Sequence, residues 1–186
     1  TYWVEGNPRD NGRNTLLRAD SMGQISEVLP LIDGIRLPDV RTRVHEYGGR
    51  AYAVSDGFIV FSDGFDGRVY AFNTRDPRRQ LVPLTPLGKV RYGDFEIADV
   101  RGLVYAVAED HSNPGEPVNS LVAIPLDGRA ARNAFEIIPI FGGSDFVSSP
   151  TLSPDGTKLA WLSWNHPNMA WTRSALHVGS LDFEGK

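Results

Sequence analysis

Asp110, His111 and Ser112 are the three residue types of a serine-hydrolase triad, and they follow one another directly in this 186-residue sequence. A working triad gathers its acid, base and nucleophile from distant segments, because neighbours along one strand or loop cannot form the required chain of hydrogen bonds. The nucleophile elbow Gly-x-Ser-x-Gly is also missing, since the nearest match, residues 142–146, lacks the closing glycine. The sequence therefore predicts no catalytic residue in this chain.

Metal and cofactor chemistry has little support among the side chains. The sequence contains no cysteine, which excludes disulfides, iron–sulfur clusters, Cys-ligated zinc and a thiol nucleophile. The four histidines do not follow a metal-ligand spacing: His45, His111, His166 and His177. Residues 63–67, Asp-Gly-Phe-Asp-Gly, lack the regular oxygen ligands and the distal glutamate of a calcium loop, so a plain turn is the better interpretation. We expect neither a metal nor a cofactor.

Two adjacent acids, Glu109 and Asp110, are better placed for binding than for catalysis. They close the apolar segment Leu103 to Ala108, and acids at the end of such a strand can point from the edge of a sheet toward a partner. A solvated strand end explains the same pattern without any function. The sequence leaves both interpretations open.

Short strands, rather than helices, must position these residues. The 19 glycines and 13 prolines recur along the whole chain and interrupt every long segment. The segments between them are rich in β-branched and aromatic residues, which predicts strands. These segments are residues 1–4, 14–17, 51–54, 58–61, 69–72, 103–108, 121–124, 159–164 and 175–178. Only residues 129–137 are candidates for a helix, of two turns at most, because Gly128 and Pro139 confine them.

The predicted strands carry apolar side chains on both faces, as residues 103–108 and 159–162 illustrate. A propeller blade is covered by a neighbour on each side, which requires this pattern. Three stretches also repeat, starting at Tyr47, Tyr92 and Phe146, with spacings of 45 and 54 residues. Propeller blades of four strands have a period of roughly 40 to 50 residues. We therefore predict an all-β fold, a partial β-propeller of four-stranded antiparallel blades.

The repeats predict a single domain over residues 1–186. Its expected blades or blade remnants are residues 1–30, 40–86, 90–141 and 145–186. The outermost strands would be residues 25–29, 80–84 and 135–141. Closed propellers contain roughly four to eight blades, so we expect this chain to be a fragment of a longer protein.

The composition argues against two classes of partner. The chain is 41% hydrophobic and 23% charged, with a net charge of -4 and no long run of like charge. A nucleic-acid surface needs a clustered basic face. No segment approaches the ~18 apolar residues of a membrane span. We expect a protein that binds neither nucleic acid nor membrane, and the lack of cysteine favours the reducing cytoplasm.

Four stretches carry a family signature. They are residues 2–6 (Tyr-Trp-Val-Glu-Gly), 41–49 (Arg-Thr-Arg-Val-His-Glu-Tyr-Gly-Gly), 109–111 (Glu-Asp-His) and 152–169, which contains Ser-Pro-Asp-Gly and Trp-Asn-His-Pro-Asn-Met. Together they resemble the N-terminal β-propeller of the prolyl oligopeptidase family of serine peptidases, in the branch of acylaminoacyl peptidases and dipeptidyl aminopeptidases. The Ser-Pro-Asp-Gly turn alone is weak evidence, because TolB-like propellers share it. The chain departs from the pattern at Asn165, Ala170 and Thr172, where Asp, Pro and Asp are expected, which argues against a charge-based role for that loop.

The resemblance implies a parent enzyme in which the propeller covers a C-terminal α/β-hydrolase domain and admits only short or unfolded peptides to a Ser-Asp-His triad. This chain would be the non-catalytic gate and docking surface of that enzyme. In aminopeptidase relatives, propeller acids receive the ammonium of the substrate, a role that would fall here to Glu109 or Asp110. Glu46 and His166 are further candidates for gating the substrate, because they lie in family-like segments at blade loops.

The alternative is a stand-alone TolB-like propeller that binds a protein partner. A Gly-x-Ser-x-Gly motif later in the full-length gene would favour the peptidase, and a stop codon soon after Lys186 would favour the binding module. Under the propeller interpretation, apolar faces are expected at both ends of the open ring. They predict self-association of the isolated chain.

Overall fold

The computed structural model describes residues 1–182, 184 and 185 as four antiparallel β-sheets that follow one another along the chain. Within each sheet, the strands pair in sequence order. The described residues contain four 3-10 turns and no α-helix. None of them forms a helix long and apolar enough to cross a membrane.

The sheets have three, four, four and three strands. The first sheet contains β1 (Tyr2–Asn7), β2 (Arg13–Ala19) and β3 (Ile25–Glu27), and the second contains β4 (Tyr52–Ser55), β5 (Phe58–Ser62), β6 (Val69–Asn73) and β7 (Leu81–Pro83). The third contains β8 (Val90–Ala98), β9 (Leu103–Asp110), β10 (Val118–Pro125) and β11 (Ile138–Gly142), and the fourth contains β12 (Phe146–Leu152), β13 (Lys158–Trp164) and β14 (Ala175–Ser180).

Three apolar cores lie between successive sheets, and β9 shows how they depend on the sequence. Val104 and Ala106 belong to the core between the second and third sheets, whereas Leu103 and Tyr105 belong to the core between the third and fourth. Successive side chains of a strand point to opposite faces, so a strand covered on both sides must be apolar throughout. The predicted partial propeller is confirmed, and its sheets do not close into a ring.

Residues 129–137, the one segment that the sequence allowed as a helix, form two separate 3-10 turns, Arg129–Ala131 and Ala134–Glu136. Asn133 interrupts them, because its backbone is extended and its side chain accepts a hydrogen bond from the amide of Phe135. A side chain that caps a new turn in this way competes with continuation of the helix. The prediction of a short continuous helix was therefore wrong.

The long connection from β3 to β4 reaches the same end of the sheets as the last residues of β9 and β13. Val40 and Val44, which are 1% and 2% exposed, anchor this connection in the interior. Between and after them lie the polar residues 41–43 and 45–50, which stay near the surface. The connection thus brings His45 and Glu46 to the end of the third sheet.

Candidate functional site

The centre of the candidate site is Glu109, which is 2% exposed at the end of β9. Its Oε2 accepts a hydrogen bond of 2.7 Å from the backbone amide of His45. Its Oε1 lies 3.2 Å from Nη1 of Arg91 and 2.6 Å from Nε2 of His111. Buried carboxylates require such partners, since an unpaired charge in the interior is costly. Both oxygens of Glu109 are therefore engaged inside the protein.

Glu46 is the exposed acid of the same cluster, and 68% of its side chain is accessible. Its Oε1 accepts a hydrogen bond of 2.6 Å from Nη1 of Arg91, which also donates to the carbonyl of Arg43. The hydrogen bond and the charge of Arg91 lower the pKa of Glu46 below its usual value. Glu46 therefore stays ionised and faces solvent, whereas Glu109 is enclosed.

The backbone that carries Glu46 has an uncommon conformation. His45 and Glu46 have φ angles of 55° and 66°, and Gly48 follows at 83°. The backbone of a residue with a Cβ rarely adopts this left-handed conformation. The amide of Glu46 donates to the carbonyl of Arg43, and that of Gly48 to the carbonyl of Val44, which closes the turn.

Asp110 is not part of this cluster. Successive residues of β9 point to opposite faces, so Asp110 leaves the sheet on the side away from Glu109. Its Oδ1 accepts a hydrogen bond of 2.8 Å from the amide of Ser112 and so caps the turn after β9. The triad-like residues 110–112 thus form a strand end, in which His111 binds Glu109 rather than Asp110 or Ser112.

His166 lies near the cluster, after β13. Its amide and its Nδ1 both bind Oδ2 of Asp145, at 2.8 and 3.0 Å, and these contacts lower the pKa of Asp145. Its ring lies 5.0 Å from that of Phe146, which stacks on Trp164 at 5.3 Å.

The ring of His45 connects the two parts of the site. It meets Phe146 and Trp164 edge-on at 5.4 and 5.5 Å. Burial lowers the pKa of His45. Asn119 donates to the carbonyl of Asp145. The structure therefore brings together three of the four candidate residues, Glu109, Glu46 and His166, in one network.

Arg91, Asn119 and Asp145 complete this network, although no motif in the sequence marks them. Arg91 lies directly opposite Glu109 on the neighbouring strand β8. A basic residue and an acid on adjacent strands of one hairpin are a detectable signal only when the register of the hairpin is known. No comparable local pattern marks Asn119 or Asp145.

Glu46, Glu109 and His111 have the residue types of metal ligands, and their ligand atoms lie within 4.8 Å of one another. The guanidinium of Arg91 contacts both carboxylates of this group. A positive charge already held between the two acids opposes a metal ion at the same position. The cluster is therefore best described as an ion-pair network.

The loop after β13 contains the positions at which the chain departs from the family pattern. Oδ1 of Asn165 accepts from the amide of Asp145, and Oγ1 of Thr172 accepts from the amide of Met169. At both positions the side chain serves as a hydrogen-bond acceptor, which Asn and Thr supply without a charge. The loop presents Trp171, which is 77% exposed.

A cleft of about 1120 Å³ lies beside Glu46 and is lined by residues of β1, β4 and β8 and of the connection between β3 and β4. Glu46 and Tyr47 line its rim, with Arg43 next to them. Tyr47 is 72% exposed at this position.

Comparison with known proteins yields solved structures alone: no family model matches the chain, and no curated protein does. A crystal structure of puromycin hydrolase is 33% identical with a TM-score of 0.89, and the match covers 100% of this chain and 29% of that one. A serine-to-alanine mutant of puromycin hydrolase complexed with PGG gives the same values. A Mycobacterium tuberculosis puromycin-hydrolyzing peptidase is 37% identical with a TM-score of 0.83, over 99% of this chain and 29% of that one.

The chain belongs to the propeller part of the prolyl oligopeptidase family. It spans about 29% of the length of the solved structures that it matches. The resemblance noted in residues 41–49 and 152–169 is therefore confirmed at the level of the family and the fold.

Proposed function

We propose that this chain is the non-catalytic propeller of a prolyl oligopeptidase-family serine peptidase, which docks on a C-terminal α/β-hydrolase domain and controls the access of peptides to it. The observation that carries the proposal is the match of the whole chain to peptide- and puromycin-hydrolysing proteins at 33 to 37% identity. The arrangement of residues 110–112 as a strand end agrees with a segment that supplies no triad.

Within this function, the exposed carboxylate of Glu46 is the site for the ammonium of a peptide with a free amino terminus. Two carboxylates, those of Glu46 and Glu109, share the guanidinium of Arg91. The second oxygen of Glu46 lies 3.8 Å from Nη2 of Arg43, and both side chains are 68% exposed. An exposed pair at this distance is weak and screened by water, so an incoming ammonium can replace Arg43 there.

The test uses the full-length protein that contains this chain and a short peptide in two forms, with a free and with an acetylated amino terminus. We expect Glu46→Gln to raise KM for the free peptide roughly two- to fivefold, the scale of an exposed ion pair, and to leave the acetylated peptide unchanged. Glu136→Gln is the matched control, because Glu136 is also exposed and paired, with Arg129, at the opposite end of the third sheet.

The outcomes separate the parts of the proposal. A full-length protein that hydrolyses neither peptide contradicts the peptidase function. Equal changes in KM for the free and the acetylated peptide contradict recognition of the amino terminus by Glu46.

A further inference from the structure

The turn that carries Glu46 needs an external restraint. Among the residues that the structure describes, His45 and Glu46 are the one pair of successive non-glycine residues that both have a left-handed φ, at 55° and 66°. The free chain disfavours this conformation at each position, so it persists only where surrounding contacts enforce it.

Glu109 provides that restraint. Its Oε2 accepts the amide hydrogen of His45 at 2.7 Å, which fixes the first of the two left-handed residues. The β-strand that carries Glu109 is buried between two sheets, so the acceptor is held in place by the rigid core. Arg91 bridges Glu109 to the carbonyl of Arg43 and to the carboxylate of Glu46, at the other side of the turn.

The two acids of the cluster differ in solvent exposure and in how their carboxylate oxygens are paired. Glu109 is 2% exposed, and both of its oxygens are engaged. Glu46 is 68% exposed, and its second oxygen is in a 3.8 Å ion pair with the exposed guanidinium of Arg43.

We infer that Glu109 is a positioning residue: it holds the left-handed turn at His45 and Glu46 and so determines where the Glu46 carboxylate meets the substrate ammonium. The inference rests on the proposed function of Glu46. Glu109 does not touch the substrate, and its contribution is transmitted through the backbone of residues 45 and 46.

Two substitutions in the full-length protein distinguish positioning from direct contact. Glu109→Gln keeps a side-chain carbonyl that can accept from the His45 amide but loses the charge, whereas Glu109→Ala loses both. We expect Ala to raise KM for the free peptide at least as much as Glu46→Gln does, and Gln to restore most of that loss, with KM for the acetylated peptide unchanged. In the Glu109→Ala background, Glu46→Gln should add little, because the two changes remove the same contact.

A KM for Glu109→Gln as high as that for Glu109→Ala would overturn the inference, since the charge itself would then be the contact. Should Glu109→Ala not fold, Glu109→Gln decides alone: a KM close to the wild-type value supports positioning, and one that matches Glu46→Gln refutes it. If Glu46→Gln has no effect in the otherwise wild-type protein, the proposed function fails, which is a separate result.

Discussion

One buried carboxylate, that of Asp63, binds the long connection between β3 and β4 to the second sheet. Asp63 has a side chain that is 0% exposed, and it accepts from the guanidinium of Arg36 and from the amide of Asp39. Residues 63–67 form a turn, as the sequence analysis predicted, and Asp63 also accepts from the amides of Phe65 and Asp66 within it. One carboxylate therefore organises both the turn and the connection that leads to the candidate site.

Asp63→Asn should lower the free energy of unfolding by about 2 to 4 kcal/mol, because the change leaves a guanidinium and backbone donors without their charged acceptor. The measurement is urea denaturation followed by tryptophan fluorescence. Asp76→Asn is the control, since Asp76 pairs with Arg78 on the surface, where 75% of the arginine side chain is exposed. Equal shifts for both variants would contradict the role assigned to Asp63.

At the scale of elements, a bulge in β8 decides which residues meet. Near the turn, β8 pairs with β9 as Ala98 with Leu103, but beyond the irregularity between Gly93 and Glu96 the register shifts by one residue. Without the shift, Tyr92 rather than Arg91 would lie opposite Glu109. Asp94 within the bulge has a φ of 53°. The ion-pair network thus depends on one extra residue in a strand.

Asp94 also links β8 to β12 and to the connection before β4, and its substitution tests the importance of the bulge. Its two oxygens accept from the amides of Arg50 and Ser149, each at 3.0 Å. We expect Asp94→Ala to destabilise the propeller by about 2 kcal/mol, from the lost hydrogen bonds and the left-handed backbone, and Asp94→Asn to cost less than half of this.

Thermal denaturation checks this expectation. Asp99→Ala is a suitable control, because the exposed side chain of Asp99 accepts from the hydroxyl of Ser55 at the opposite end of the sheet. If Asp94→Asn is as destabilising as Asp94→Ala, the backbone conformation does not contribute.

At the scale of the whole molecule, the outer face of the fourth sheet is apolar and uncovered. Leu176 and Val178 of β14 are 71% and 63% exposed, and they lie opposite Leu162 and Ala160 of β13 on the same face. At the other end, Ile25 of β3 is 60% exposed. Exposed apolar faces of this kind favour association.

We therefore expect the isolated chain to self-associate at low micromolar concentration, as light scattering can measure. Leu176→Lys should shift it toward the monomer, because a charge on this face opposes burial. Phe135→Lys is the control, since Phe135 is 96% exposed in a turn away from the end faces. A monodisperse wild-type monomer would show that these faces do not associate.

Much of the architecture was predictable from the sequence for a local reason. Stacked sheets are indicated by local features of the sequence. These are the apolar residues on both faces of 103–108, the turn residues at regular intervals and the repeats that start at Tyr47, Tyr92 and Phe146. The family motifs identified the propeller in the same way. The helix at residues 129–137 was the error, because the capping side chain of Asn133 outweighed the local propensity.

The candidate site was predictable only as a set of residues, because its function depends on contacts between distant segments. Glu46 and Glu109 are 63 positions apart in the sequence, and neither residue type shows which is enclosed and which is exposed. The bulge in β8 places Arg91 opposite Glu109, and the burial of β9 lets Glu109 hold the left-handed turn at His45 and Glu46. Strand composition thus determines the sheets locally, whereas register, burial and long-range hydrogen bonds decide the roles of the acids, and these exist only once the sheets are stacked.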